Sequence, residues 1–220
     1  MAGANMSGSD PRIGVLALQG DFARHLQALE SVGAEGCEVR SAEDLIGIDA
    51  LILPGGESST ISHLLDSFQM RQPVIEFVRS APVWGSCAGL ILLASEIVTS
   101  PDAQGVSFTP LGALDISVAR NAFGRQVRSF EEPVTVSDGG VSFTIEACYI
   151  RAPRIVRVGE GVMTLARRGS DAVLVRRGNI LASSFHSELT NNTALTQFFV
   201  ERMVMPGLNR ISAKTRQNVS

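Results

Sequence analysis

Three times in the first hundred residues, a short apolar run ends in a glycine-containing turn and gives way to a segment with helical spacing. "RIGVLALQG" closes on Gly20 before "DFARHLQALESVG", where Asp21 is an N-cap candidate and Gly33 a stop. Phe22, Leu26 and Leu29 lie at helical spacing between them. "DALILPGGESS" precedes "STISHLLDSF", and "APVWG" precedes "LILLASEIV"; "CEVR" adds a brief strand. Unbroken apolar strands alternating with helices require a parallel sheet covered on both faces. From about residue 110 the pattern changes to "VRSFEEPVTV", "VSFTIEACYI", "GVMTLARR", "DAVLVRRG" and "NILASSF". These are β-like runs broken by Gly, Asp and Ser, as antiparallel hairpins are. "NTALTQFFVERMV" closes the chain as an amphipathic helix. The expectation is an α/β fold of three layers. A mostly parallel central sheet is flanked by helices, with an additional antiparallel β portion in the C-terminal half.

A chain of 220 residues suffices for one sizeable domain. We place that domain at 12–205, between flexible tails at 1–11 and 206–220, with "TSPDAQGVSFTP" as a flexible insertion. A formal net charge of -3 gives no reason to expect nucleic acid or an anionic membrane as partner. The three cysteines, Cys37, Cys87 and Cys148, are widely spaced, which argues against a disulfide framework and for a reducing compartment. No pair of ligands has zinc-site spacing, so no metal is expected. "MAGANMSGSDP" has no apolar core, and no run reaches the roughly 18 apolar residues of a membrane span. A cytoplasmic protein is expected.

Ligands of open α/β sheets gather at the carboxyl ends of the strands. There lie "PGGESS", "GSCAG" and, after the strand-like "NILAS", "SFHSE". Cys87 stands in G-x-C-x-G, one residue past a strand and at the mouth of a helix. Small residues suit a tight packed turn, and such a turn also holds a nucleophile clear of the backbone with the next amides aimed at an oxyanion. A thiol nucleophile needs a base, and the base needs an orienting partner. Of the three histidines, His25 and His63 lie inside helices and are expected in surface or packing roles. His186 ends a strand, and Glu188, two residues on, shares its side if the strand continues. Cys87, His186 and Glu188 therefore form a candidate triad.

"GVLALQGDFARH", "ALILPGGESST", "VWGSCAGLILLA", "RNAFGRQ", "YIRAP" and "SSFHSELT", in this order, resemble the glutaminase subunits of pyridoxal 5'-phosphate synthase. These belong to the class I, triad-type glutamine amidotransferases. The likeness is collinear from about Ile13 to Met203. The elbow and F-H-x-E alone would fit many amidotransferases; "LQG", "PGGES", "RNxFGRQ" and "IRAP" are specific to the vitamin B6 branch. The resemblance implies that Cys87 attacks the side-chain amide of glutamine, releasing ammonia and leaving a glutamyl thioester. His186 would shuttle protons and Glu188 would orient it. Backbone amides of Gly56 and Ala88 would form the oxyanion hole. Gly56, Glu57, Ser58, Arg120, Ile150 and Arg151 would contact substrate, the arginines as forks for its carboxylate. Arg125 and Gln126 would be structural or at the partner interface. No cofactor is implied. The partner implied is the synthase subunit, in a hetero-oligomer that receives the ammonia.

Two positions depart from the family pattern: Ser187 stands where proline is usual, and Ala119 where a charge is frequent. Neither removes a reacting atom. Alternatives are a non-catalytic regulatory partner of the synthase, a same-fold glutaminase of another pathway such as histidine biosynthesis, and a cysteine peptidase. The intact Cys87, His186 and Glu188 argue against the first, and "IRAP" with "RNAFGRQ" against the second. A peptidase leaves Glu57, Arg120 and Arg151 without a rationale.

Overall fold

The computed structural model describes residues 10–98, 108–120 and 129–208. Four strands are apolar along almost their whole length: β1 (Arg12–Leu16), β3 (Ala50–Leu53), β4 (Val83–Ser86) and β12 (Ile180–Ser183). Each is buried on both sides, apart from Arg12 at the start of β1. With β2 (Glu35–Val39) they run parallel. Two antiparallel strands, β11 (Asp171–Arg177) and β10 (Met163–Arg168), extend the far edge, giving seven strands in the order β10-β11-β12-β4-β3-β1-β2.

Alternation along β3 assigns the layers, because successive side chains point to opposite faces. Leu51 and Leu53 join the core beneath α2 (Ser58–Ser67) and α3 (Arg71–Ser80). Ala50 and Ile52 join Leu29 of α1 (Phe22–Ser31) on the other face, with Trp84, Phe185 and Phe199. The second core is closed by the antiparallel hairpin β7 (Phe130–Asp138) and β8 (Val141–Tyr149), and by α5 (Ala194–Phe199). The fold is thus the expected mostly parallel α/β sheet with an antiparallel C-terminal part. No helix of the described residues is long and apolar enough to cross a membrane.

The run expected as a third long helix is divided. α4 (Ala88–Leu93) stops after six residues, and Ala94–Val98 becomes β5. β5 pairs parallel with β6 (Leu114–Ala119), which pairs antiparallel with β9 (Arg154–Val158). The burial pattern explains the break: every residue of α4 is buried, whereas Ser95 and Glu96 are exposed and the chain turns along the surface. α3, absent from the sequence expectation, contains Pro73. It sits in the first helical turn, where the missing N–H has no intrahelical acceptor to lose. At the ends, Pro11 is buried and its carbonyl accepts from the Glu35 N–H, while helical geometry continues over 205–208. Arg125, Gln126 and most of the "TSPDAQGVSFTP" segment lie outside the described residues.

Candidate functional site

The elbow is built by close approach. A Cβ on Gly89 would lie 2.1 Å from the Leu53 carbonyl oxygen, and one on Gly85 would lie 2.6 Å from the Gly89 backbone. Glycine at both positions lets α4 press onto β3 and β4. Between them Cys87 takes φ +48°, a left-handed conformation that L-residues rarely adopt. Its N–H is held by the Ser183 carbonyl of β12 at 2.8 Å. Ala88 is the first residue of α4, so its N–H has no acceptor within the helix.

His186 lies three residues beyond β12 and is anchored by its backbone to the end of β8. Its N–H donates to Cys148 O at 2.8 Å and its carbonyl accepts from Cys148 N at 3.2 Å. The Nδ1 of His186 lies 2.6 Å from Glu188 Oε1, which leaves Nε2 for the side of the cavity that the ring shares with Cys87. Burial disfavours the imidazolium, but the hydrogen bonds and charges of Cys87 and Glu188 outweigh it and raise the His186 pKa well above its ordinary value. Glu188 is fully buried; burial resists its ionisation, yet the two histidines around it, His25 and His186, hold its carboxyl far below the usual range. Ser86 Oγ lies 3.3 Å from Glu188 Oε2 and donates to Phe185 O at 3.1 Å.

His25 meets the packing half of the surface-or-packing expectation, edge-on to Trp84, and has a charged neighbour as well. It is buried on α1, with Nε2 3.4 Å from the same Glu188 oxygen that faces His186. The signal was present: His25 shares the inward stripe of α1 with Ala28 and Leu29. His63 remains on the solvent side of α2, 3.4 Å from Ser67 Oγ.

Facing the thiol is a cavity of about 240 Å³ lined by Gly56, Glu57, Ser58, Cys87, Arg120, Ile150, Arg151 and His186. Asp21, Gly55, Ile91 and Leu189 complete it, none of which was expected as a substrate contact. It is smaller than the roughly 300–1,000 Å³ of drug-sized pockets, a scale suited to an amino acid. Ala88 and Glu188 are not in its lining; Glu188 stands behind the imidazole.

The Gly-Gly turn is clamped from the β1 side. Gly55 O accepts from Asp21 N at 3.2 Å, and Gln19 Oε1 accepts from Glu57 N at 2.8 Å. A Cβ on Gly56, at φ +158°, would strike Gln19 Oε1 at 2.6 Å; one on Gly55 would lie 2.1 Å from the His186 ring. Glu57 caps α2 by accepting from Thr60 N at 2.8 Å and meets Arg120 Nη2 through Oε1 at 3.2 Å. Burial opposes ionisation of Glu57, and the Ser59 and Thr60 donors overcome it, so its carboxyl stays below the usual value. Arg151 carries φ +47°, a second strained residue at the cavity rim. Among the described residues no cluster of three His, Cys, Asp or Glu side chains is placed to hold a metal ion.

Residues 15–205 match the SNO glutamine amidotransferase family. The pyridoxal 5'-phosphate synthase subunit PdxT of Mycobacterium ulcerans is 46% identical over 194 residues, 88% of this chain and 96% of that one. PdxT of Mycobacteroides abscessus is 49% identical over 199 residues, 90% and 99% of the two chains. A crystal structure of a glutamine amidotransferase superposes with a TM-score of 0.78 at 49% identity, covering 86% of this chain and 97% of that one. PurLQS from Thermotoga maritima, at 16% identity and a TM-score of 0.62 over 92% of this chain and 99% of that one, shares the fold alone. The chain belongs to the SNO glutamine amidotransferase family.

Proposed function

We propose that this chain is the glutaminase subunit of a pyridoxal 5'-phosphate synthase, hydrolysing L-glutamine to L-glutamate and ammonia at Cys87. Family membership and the near-half identity to PdxT subunits support the enzyme class and the pathway. The observation that carries the residue roles is the 2.6 Å contact of His186 with buried Glu188, beside Cys87 on one cavity rimmed by guanidinium groups.

In the reaction, Cys87 Sγ attacks the side-chain amide carbon of glutamine. The oxyanion is received by the backbone N–H groups of Gly56 and Ala88, a class of contact worth about 10²–10³-fold each. His186, protonated by the thiol, returns that proton to the amide nitrogen; the C–N bond breaks and ammonia leaves. Water then gives a proton to His186 while its oxygen attacks the glutamyl thioester, and the C–S bond breaks to restore the thiol and release glutamate. Such proton transfer contributes about 10²–10⁴-fold. Arg120 and Arg151 receive the substrate carboxylate, with Arg120 held in place by Glu57. Gly56, Ser58 and Ile150 close the pocket around the substrate.

Ammonia passes to a synthase subunit bound to this chain in a hetero-oligomer, in the cytoplasm, and the domain spans 12–205. The domain boundary is supported by one sheet that takes strands from β1 through β12. A glutamine-derived diazoketone tests the nucleophile. It is expected to label Cys87 and spare Cys37 and Cys148, whose thiols burial holds above the ordinary value. Labelling chiefly at Cys37 or Cys148, read by peptide mass spectrometry, would remove Cys87 from its role.

A further inference from the structure

His25 is an expensive choice for a core position. Both ring nitrogens are closed off from solvent, and neither makes an aligned hydrogen bond among the described residues. Leucine or phenylalanine would fill the space without that desolvation penalty. One face of the imidazole is covered by Trp84, whose ring meets it edge-on at 5.2 Å and 88°. Among the described residues its ion-pair partner is Glu188, with Nε2 at 3.4 Å from Oε1. That oxygen also faces His186 Nδ1 at 2.6 Å. The third titratable group in the field of this carboxylate is the Cys148 thiol on β8.

We propose that His25 is a positioning residue for the hydrolysis, lodged behind Glu188 so that the carboxylate is held between two imidazoles and aimed at His186. The inference rests on the triad reading above. With hydrogen on Nε2, the 3.4 Å separation needs only a small rotation of the ring to become a full hydrogen bond to the carboxylate. The arrangement fixes which way the carboxylate points and tempers its pull on the His186 proton. The same helix starts directly after Gln19, Gly20 and Asp21, the segment that clamps the Gly55–Gly56 turn. α1 and the turn that leads into it therefore meet the site at two places, the Gly-Gly turn and the rear of Glu188.

The test compares His25→Leu and His25→Gln in the complex with the synthase. His25→Leu should lower kcat about tenfold, a part of the 10²–10⁴-fold that acid–base help supplies, and leave KM for glutamine unchanged. Removing a donor from Glu188 strengthens its hold on the His186 proton, so the limb of the pH–rate profile set by His186 should move to higher pH. His25→Gln keeps an N–H at similar reach and should restore most of the rate. A merely structural role would lower thermal stability without moving that limb. Independently of variant folding, ¹⁵N-histidine spectra of the unmodified chain should show hydrogen on His25 Nε2 at neutral pH. A bare Nε2, or a His25→Leu enzyme with unchanged kcat and pH profile, would overturn the proposal. Loss of activity in Cys87→Ala and Glu188→Gln alongside a silent His25→Leu would defeat this inference alone. Full activity in Glu188→Gln would defeat the triad reading as well.

Discussion

Glu188 carries no contact with the cavity, yet the electrostatics of the site converge on it. Its charge is one reason the His186 pKa lies above about 6.5, so the imidazolium persists beyond the pH at which an exposed histidine loses its proton. The sign for stability follows for each partner. The His186 contribution is complete below about pH 6.5 and is lost as pH rises through the raised folded-state value. The Glu188 contribution is present above the ordinary carboxyl value near 4.3 and is lost only as pH falls through its depressed one. Glu188→Gln keeps the shape and removes the charge. It should shift the His186 limb of the pH–rate profile to lower pH and reduce kcat by about 10²–10⁴-fold, as loss of acid–base efficiency does. An unchanged limb and rate would exclude Glu188 from the triad. Cys87, His186 and Glu188 were legible because each stands beside punctuation: a glycine pair for the thiol, and a strand end with i, i+2 spacing for the other two. His25 was not, because a histidine inside an amphipathic helix reads as ordinary side-chain packing until its neighbour across the core is known.

At the scale of elements, the turns after β3 and β4 do the positioning, and glycine is required where backbones meet side chains. Gly55 stands so close to the His186 ring that the Cβ of an alanine would sit 2.1 Å from it. Gly55→Ala should push the imidazole away from Cys87 and lower kcat by at least about 10²-fold, the scale of losing acid–base help. The secondary structure should be retained, which circular dichroism would check alongside the rate. Wild-type turnover in this variant would contradict the packing described for the turn. The central parallel strands were readable because burial on both faces leaves an unbroken apolar run. β6 and β9 were not, since short strands on a small outer sheet give no strict alternation. The division of α4 from β5 was hidden for a different reason: the apolar run continues through Ala94, and only burial separates its two halves.

For the molecule as a whole, the layers bring four strand ends to one side of the sheet, and the cavity forms where they meet. The turn after β1 contributes the clamp and the turn after β3 the two glycines; Cys87 follows β4, and His186 follows β12. A free glutaminase that ran continuously would discard ammonia to solvent, so coupling to a synthase has a physical rationale. The element suited to such coupling is the Gly55–Gly56 peptide. Its carbonyl is tied to Asp21 N–H, and glycine at both positions lets the peptide turn over at little steric cost once the "LQGD" segment is pressed by a partner. The most direct measurement is ammonia release from glutamine by the purified chain, alone and with its synthase subunit, with Cys87→Ala as the control. Turnover should be low alone and rise by about 10²–10³-fold in the complex, the scale of gaining one oxyanion donor, with none in Cys87→Ala. No ammonia from the complex, or equal release from Cys87→Ala, would contradict the account.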